Sequence, residues 1–424
     1  MLSTRLRALT FTCRTSRYLV KPRAVKVCMD QFSESVIGLP CTRMQSTAAT
    51  DAEHQKHWRD AASLMVCAKD YNQPQNSVFD YRMLFLKRQG GSNVFGGTSV
   101  FPGGVIDDAD FSPEWMQLYR ALGIETVDSF GWEHLKNKPR AGPIASPRAK
   151  DLLPNDVAFR LCAIRETFEE SGILIASSHD YVKQSMKRVS AKSFAPSSCY
   201  TELDENKFLE WRQRIYNDAN QFLVMCKELD IFPNLWSLFE LSNTLTPRAG
   251  PRRYDTIFYL NTLDSVPEVI IDEREMANDQ WLNPAEGLQL HFKGDINLYP
   301  PQLLECARFL DFPGLTDVQN YGAKIMDEGM DISLPVGYRL KDCLIHAYPG
   351  DDCYPKNVSL ASISKVPKLE ETEEDNLRRC KNLHRITFYG TGRSLKFDCN
   401  IKLPHNEHPP QNFSSQDWVD QSTA

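Results

Sequence analysis

The sequence predicts an α/β protein of the α+β type, because short apolar runs of strand length alternate with longer runs of helical periodicity. The 424 residues are 42% hydrophobic and 25% charged, a composition typical of a globular protein with a sizeable core. No apolar run approaches the roughly 18 residues that a membrane-spanning helix requires. The sequence therefore excludes a low-complexity chain, and we expect no membrane span.

The elements follow one another along the chain in a mixed order. Short apolar runs predict strands at 62–68, 81–88, 173–176, 236–241, 256–260 and 268–271. Helical periodicity predicts helices at 155–171, 205–216, 220–229, 302–310 and 370–379, and a short helix that follows a strand at Trp281. A hairpin is expected to pair 385–389 with 395–401 across a turn that begins at Gly390. The segments 111–153 and 177–198 are expected to lie outside the core, as an excursion and a linker.

The helix predicted at 155–171 carries the most informative pattern. Glu166, Glu169 and Glu170 share one face, opposite an apolar stripe, and Gly172 is placed to end the helix. In most helices an acidic face of this kind is an ordinary solvated surface. Three close carboxylates repel one another unless a multivalent cation lies among them, and Mg²⁺ binds carboxylate oxygens while retaining waters and substrate phosphates. The glycine pair Gly103-Gly104 after a predicted strand, Arg165 directly before Glu166, and Gly172 at the end of the helix therefore favour a metal site for a diphosphate substrate.

The residues around this helix match a longer pattern. Gly104, five further residues and Asp110 are followed, after a gap, by Arg165-Glu-Thr-Phe-Glu-Glu-Ser-Gly-Ile173. This pattern resembles the signature of the Nudix hydrolases, which cleave nucleoside diphosphates linked to another moiety. The gap is much longer than in most of the family, because 54 residues (111–164) separate Asp110 from the arginine. Such an interruption is similar to that of a branch that hydrolyses acyl-coenzyme A.

The resemblance implies a Nudix fold, in which a mixed sheet is sandwiched between helices. It places the Nudix domain at 56–290, with insertions at about 111–153, inside the signature, and at about 177–235. A C-terminal α/β extension is expected at 291–403 and a disordered tail at 404–424.

The resemblance also implies a metal cofactor, Mg²⁺ or Mn²⁺, bound by three acids: Glu166, Glu169 and Glu170. Arg165 would orient one of these acids. Hydrolysis also needs a general base that activates a positioned water, because the charges of a diphosphate repel a nucleophile. Glu169 is one candidate for this base. Glu275 is another, because Nudix proteins often bring a further carboxylate from a distal loop, with Glu273 as the alternative; both could equally be charges of a polar loop.

Several other positions of the signature concern loop shape and packing. Gly103 and Gly104 are expected to shape the loop before the helix, and Gly172 the turn after it. Asp110 stands where the family usually has glutamate, and Thr167 stands where an aliphatic residue is usual. The aspartate at position 110 bears on whether this position plays the part that the glutamate has in the family. The threonine at position 167 bears on the packing of the helix more than on its chemistry.

Coenzyme A carries a diphosphate and a 3′-phosphate, which call for basic partners besides the metal. Arg248, Arg252 and Arg253 precede a predicted strand, and guanidinium groups match phosphate geometry better than ammonium groups do. Arg88, with Lys87, is the second choice. Each of these side chains could instead be a solvated loop charge.

The function expected from the resemblance is metal-dependent hydrolysis of coenzyme A and acyl-coenzyme A to 3′,5′-ADP and (acyl-)4′-phosphopantetheine. Two alternatives stay open: a Nudix hydrolase of ADP-ribose or a dinucleotide, and a non-catalytic metabolite-binding module. A small-molecule substrate is expected rather than nucleic acid, because the chain after residue 50 is net acidic. The 12 cysteines include no Cys-x-x-Cys pair, so neither a zinc knuckle nor a redox motif is indicated. The sequence leaves the oligomeric state open.

The first fifty residues differ from the rest in charge. They carry eight basic and two acidic residues. An arginine-rich, acid-poor segment is typical of a mitochondrial transit peptide, although a disordered basic tail has the same composition. We expect residues 1–55 to be a transit peptide with a disordered lead, and the protein to reside in the mitochondrial matrix. The peroxisome is the alternative, but Gln421-Ser-Thr-Ala424 lacks the basic and leucine positions of a Ser-Lys-Leu signal.

Overall fold

The computed structural model of the protein describes residues 58–419 apart from short gaps, at 75–76, 91–95, 131, 133–141, 146–148, 150–151, 191–196, 248–251, 357, 359–365 and 391–392. The transit peptide expected at 1–55 lies outside the described residues. So does Arg248, one of the predicted phosphate-binding arginines.

Fifteen strands are described, in chain order: β1 (Arg59–Lys69), β2 (Tyr81–Arg88), β3 (Ser99–Val100), β4 (Gly103–Val105), β5 (Ala176–Ser177), β6 (Phe232–Pro233), β7 (Phe239–Leu245), β8 (Tyr254–Leu263), β9 (Met276–Leu282), β10 (Ile332–Ser333), β11 (Val336–Arg339), β12 (Leu344–Ala347), β13 (His384–Tyr389), β14 (Ser394–Cys399) and β15 (Phe413–Ser414).

Ten α-helices are described: α1 (Trp115–Arg120), α2 (Asn155–Ser171), α3 (His179–Ser190), α4 (Glu205–Asn217), α5 (Gln221–Glu228), α6 (Pro284–Lys293), α7 (Pro300–Phe309), α8 (Leu315–Glu328), α9 (Glu373–Arg379) and α10 (Ser415–Val419). None of the described helices has the length and apolar character that crossing a bilayer would take.

The central sheet is mixed. Its strands lie in the order β10-β7-β8-β1-β2-β3, with β4 paired to β1 and β9 paired to β2. Strands β1 and β8 run parallel, whereas β1 pairs antiparallel with both β2 and β4. Every residue of β1 from Ala61 to Ala68 is buried, and only the strand ends, Arg59, Asp60 and Lys69, are more exposed. Both faces of β1 are therefore covered. Helices α2 and α8 contact β1 and β8, which confirms the predicted mixed sheet between helices.

Two expectations about the inserted segments were wrong. The 111–153 segment is not an excursion outside the core, because Trp115, Tyr119 and Trp132 are buried and contact the rings of Phe222 and Trp236 in tilted or edge-to-face geometry. The expected linker at 177–198 contains helix α3. The 268–271 segment, conversely, forms no strand and belongs to the loop between β8 and β9. This loop carries the charged residues that precede β9.

The C-terminal region forms a second, antiparallel sheet in the order β11-β12-β13-β14-β15, and the predicted hairpin is confirmed as β13 and β14. Residues 404–419 do not form the disordered tail that the sequence predicted. Phe413 is buried in β15, Trp418 stacks on Phe292 of α6, and Glu407 pairs with the buried Arg308 at 2.6 Å. These few aromatic and charged anchors order a segment whose overall composition is polar.

Candidate active site

Helix α2 and strand β4 position the acids of the signature. The helix has the predicted bounds; it begins after Pro154 and ends at Gly172, whose φ of +80° is in the left-handed region that favours glycine. A Cβ atom at Gly172 would lie only 2.7 Å from the Phe208 ring. The acidic face is not a solvated surface, because Glu170 is only 3% exposed and β4 packs directly against the helix.

Arg165 connects three carboxylates. Its Nε and Nη2 each donate to one carboxylate oxygen of Asp110 at 2.9 Å, which forms a bidentate ion pair. Its Nη1 donates to Oε1 of Glu166 at 2.8 Å and to Oε1 of Glu169 at 2.7 Å. Arg165 and Asp110 are both almost fully buried. Arg165 therefore orients two of the predicted metal-binding acids, and Asp110 in turn orients Arg165.

Glu170 is held by strand β4 and by the end of strand β2. Its Oε2 accepts a hydrogen bond from the Gly103 backbone N–H at 2.9 Å, and Oε1 lies 3.4 Å from Nη2 of Arg88. The structure thus brings Arg88, at the end of β2, to the acids. Lys87 precedes it on the strand and pairs in register with Ser99 and Asn278.

The two glycines expected to shape the loop before the helix, Gly103 and Gly104, lie in strand β4, where close approach of other atoms requires them. Gly103 has a φ of +150°, and a Cβ there would lie 2.4 Å from the Ala62 carbonyl oxygen. A Cβ at Gly104 would lie 2.3 Å from Oε2 of Glu166. Real Cβ atoms do not approach other atoms so closely, so the backbone of β4 can pass between β1 and Glu166 only because both residues lack a side chain.

The acids line an open cavity of about 410 Å³, within the size range of small-molecule sites. The lining combines α2, the end of α4, the β8–β9 loop and the loop after β4. It consists of Asp107, Arg165, Glu166, Glu169, Glu170, Ile215, Tyr216, Asn217, Asp218, Ala219, Asp272 and Glu275. Sequence reasoning missed the contribution of α4, because no motif marks that helix. It also missed Asp107, which is one of the five unspecified positions between Gly104 and Asp110 of the signature.

The buried acids have perturbed protonation equilibria. Burial raises the pKa of Glu166 to about 7, and that of Glu170 to about 8. The positive charge of Arg165 opposes the rise in the pKa of Glu166, and that of Arg88 opposes the rise in the pKa of Glu170. Neighbouring carboxylates raise both pKa values further. Burial also raises the pKa of Glu169, against the opposing charge of Arg165. A cation among these carboxylates would compete with protons at neutral pH.

The structure separates the two candidate bases of the distal loop. Glu275 lines the cavity, and its charge contributes to the raised pKa of both Glu169 and Glu170. Glu273 does not line the cavity, and its backbone carbonyl accepts a hydrogen bond from Gln89. The geometry therefore favours Glu275 over Glu273, while Glu169 stays a candidate.

The structure does not bring Arg252 and Arg253 to the cavity. Both precede β8, which flanks β1 on the edge opposite β4. The Arg253 guanidinium lies 5.5 Å from the centre of the Trp58 ring, and neither arginine lines the cavity. The pairing of β8 with β1, which the sequence does not reveal, accounts for this placement.

Arg212 connects three of the four segments that line the cavity, because it lies on α4 and contacts α2 and the β8–β9 loop. Its Nε donates to the Glu169 carbonyl oxygen at 2.5 Å, and its Nη1 donates to the Ile270 carbonyl oxygen of the β8–β9 loop. Arg212 is only 4% exposed, and burial lowers its pKa to about 10. Arg212 therefore fixes α4 and the loop that carries Glu275 to the end of α2.

The donor set of the cavity fits a divalent cation. Carboxylate oxygens are the ligands that Mg²⁺ and Mn²⁺ prefer. Arg165 donates to Oε1 of Glu166 and to Oε1 of Glu169. The Oε2 atom of each glutamate accepts none of the described hydrogen bonds and could bind a cation. Within the described residues, no three metal-binding side chains already converge on one point. Mg²⁺ usually keeps several waters and is bound by only one or two carboxylates of the protein, so the two Oε2 atoms suit such an ion without a closed set of side chains.

Comparison with known proteins identifies two matched regions of the chain. Residues 58–309 match the family model of the NUDT19 Nudix domain, and residues 338–394 match that of the NUDT19 C-terminal domain. The chain is 32% identical over 371 residues to acyl-coenzyme A diphosphatase NUDT19 of Xenopus laevis, covering 82% of this chain and 95% of that protein. The same-named proteins of Gallus gallus and Homo sapiens are 34% identical over 371 residues and 31% identical over 349 residues. These matches cover 84% and 78% of this chain, and 95% and 89% of the relatives.

Proposed function

The chain belongs to the Nudix hydrolase family, in its NUDT19 branch, and on that basis we propose that it hydrolyses the diphosphate bond of coenzyme A and acyl-coenzyme A. The products would be 3′,5′-ADP and (acyl-)4′-phosphopantetheine. The observation that carries the proposal is the cavity in which the three signature glutamates face Glu275. The names of the relatives, acyl-coenzyme A diphosphatases, support this substrate class.

Divalent metal ions are the cofactors that Nudix hydrolases typically use, and we propose that Glu166, Glu169 and Glu170 hold Mg²⁺ or Mn²⁺. When bound there, the cation neutralises diphosphate charge and lowers the pKa of a water. Arg165 orients Glu166 and Glu169 by holding one oxygen of each. None of the described hydrogen bonds involves the Glu275 carboxylate, so we assign to Glu275 the role of accepting a proton from the attacking water.

A substrate panel tests the proposed function. Purified protein is incubated with Mg²⁺ or Mn²⁺ and coenzyme A, a series of acyl-coenzyme A thioesters, ADP-ribose or a dinucleotide, and the products are separated by chromatography. The highest kcat/KM is expected for coenzyme A or its thioesters. Preferential hydrolysis of ADP-ribose or the dinucleotide would replace the proposed substrate class, and no hydrolysis of any compound would support a binding module.

The raised pKa values predict how metal affects stability at different pH. Glu166 and Glu170 have folded pKa values of about 7 and 8, above the ordinary value of 4.5, so the folded metal-free protein holds more protons than the unfolded chain. Its stability should therefore fall as pH rises from about 5 to about 8. A cation removes the repulsion of the ionised acids, so Mg²⁺ should raise Tm by a few degrees more at about pH 8 than at about pH 6. Differential scanning fluorimetry with EDTA or Mg²⁺ measures this; an equal shift at both pH values would contradict it.

The basic N-terminal segment supports a proposal about location. We propose that residues 1–50 direct the protein to the mitochondrial matrix, because positive charge favours import driven by the membrane potential. A fluorescent reporter fused to residues 1–50 should then enter mitochondria. A matched fusion with the eight basic residues changed to Gln should remain diffuse. Diffuse signal from the native segment, or full-length protein in peroxisomes, would overturn the proposal.

A further inference from the structure

The rim of the cavity is formed by two segments outside the Nudix signature. The last turn of α4 and the residues that follow it, 215–219, line one side, and the β8–β9 loop contributes Asp272 and Glu275. An arginine and a tyrosine meet where these segments approach each other. Tyr216 is 43% exposed and lines the cavity. Arg274 does not itself line the cavity, but in the chain it lies between Asp272 and Glu275, which do.

Arg274 is held in a fixed orientation. Its guanidinium carbon lies 3.7 Å from the centre of the Tyr216 ring, which is a close cation–π contact. Its Nε donates to the two Asp272 carboxylate oxygens at 2.8 and 3.1 Å, and its Nη1 donates to Oε1 of Gln213 at 2.9 Å. Its Nη2 takes part in none of the described hydrogen bonds. Arg274 therefore presents an oriented donor group beside the lining residues Tyr216 and Asp272, with 38% of the side chain exposed.

The charge of the cavity shows why such a donor is needed. Arg165 is the one basic residue among the described lining residues, and its Nε, Nη1 and Nη2 are all bound to carboxylates. Arg88 faces Glu170. A substrate with phosphate charge beyond the diphosphate would meet mainly acids at the rim, unless Arg274 neutralises that charge.

We propose that Tyr216 and Arg274 bind the nucleotide end of the substrate, with Arg274 contacting the 3′-phosphate and Tyr216 packing against the adenine ring. This proposal rests on the hydrolysis of coenzyme A proposed above. A guanidinium group suits a phosphate, and an exposed aromatic face suits a purine. The pair takes the role that the sequence had suggested for Arg252 and Arg253. It also gives the 177–235 insertion, which contributes Tyr216, a function in substrate selection.

The test compares coenzyme A with dephospho-coenzyme A, which lacks only the 3′-phosphate. Arg274→Ala should raise KM for coenzyme A about tenfold to a hundredfold, with a much smaller change for dephospho-coenzyme A and little change in kcat. Arg274→Gln, which keeps a donor for Asp272, should show the same selectivity. Arg214→Ala is the matched control, because Arg214 is likewise exposed (37%) and stacked on an aromatic ring, that of Trp211 at 3.8 Å. Its described side-chain partners, Trp211, Glu210 and Gln221, do not line the cavity, whereas Tyr216 and Asp272, the partners of Arg274, do.

Tyr216→Ala tests the second half of the proposal. It should raise KM for both compounds, because both contain adenine, whereas Tyr216→Phe should keep near-normal KM values. Equal KM changes for the two compounds in both Arg274 variants would overturn the assignment to the 3′-phosphate. Normal KM values in Tyr216→Ala would overturn the adenine contact.

A binding measurement separates failure of this inference from failure of the proposed function. Isothermal titration with 3′,5′-ADP and AMP needs no turnover, and Arg274→Ala should weaken only 3′,5′-ADP binding. Coenzyme A hydrolysis by the native protein without this selective loss would overturn the inference alone. Selective loss together with no hydrolysis of coenzyme A would overturn the proposed reaction and support the nucleotide site.

Discussion

Replacing Glu170 with Gln should lower kcat at least about a hundredfold, equivalent to about 2.7 kcal/mol of transition-state stabilisation. The amide has nearly the shape of the carboxylate, and its oxygen can still accept the hydrogen bond from Gly103, now 2.9 Å from Oε2. The change therefore removes charge at the cavity with little change in packing. Steady-state kinetics with varied Mg²⁺ or Mn²⁺ measures the loss, and circular dichroism checks the fold.

Glu210→Gln provides the matched control for this experiment. Glu210 lies on α4 with its side chain 67% exposed, and it does not line the cavity, so its neutralisation should leave kcat within about twofold. If Glu170→Gln kept near-normal kcat and required no more metal than the native protein, the assignment of Glu170 to the metal site would be wrong. A loss that added metal reversed completely would place the effect in metal affinity alone.

Local signals account for the parts of the fold that were predicted closely. Helix α2 has the predicted bounds because Pro154 and Gly172 interrupt helical geometry at its two ends. The hairpin of β13 and β14 is likewise marked by a glycine-containing turn. Helix α3 was missed because its serines and lysines suggest a linker, whereas Val182 is fully buried in the core. Packing against the rest of the protein determines such segments.

Some residues of the site could likewise be predicted from local sequence, whereas others are revealed only by the fold. The glutamates could be found because helical periodicity places them on one face. The Asp110–Arg165 pair could not be derived from local pattern, because 54 residues intervene and only the packing of α2 against the residues after β4 brings the two together. Tyr216 and Arg212 lie in an insertion that has no recognisable motif, so only the fold reveals their proximity to Glu169 and the β8–β9 loop.

The Asp110–Arg165 pair predicts the largest effect on stability. Arg165→Met should lower the free energy of unfolding by about 3–5 kcal/mol, because it leaves Asp110, whose side chain is 1% exposed, without its bidentate partner. Burial of an uncompensated carboxylate is the main cost, and Glu166 and Glu169 also lose the donor that orients them. Chemical denaturation in EDTA, without a cation to replace the lost charge, measures this change.

A double mutant identifies the physical origin of that loss. In Asp110→Asn/Arg165→Met both charges are removed, so this variant should be less destabilised than Arg165→Met alone, by about 1–3 kcal/mol. Arg378→Met is the control, because Arg378 pairs with Glu374 while 69% exposed, and its loss should cost no more than about 1 kcal/mol. If the double mutant were as unstable as the sum of its single mutants, the buried charge of Asp110 would not be the cause, and the loss would instead come from packing around the Arg165 side chain.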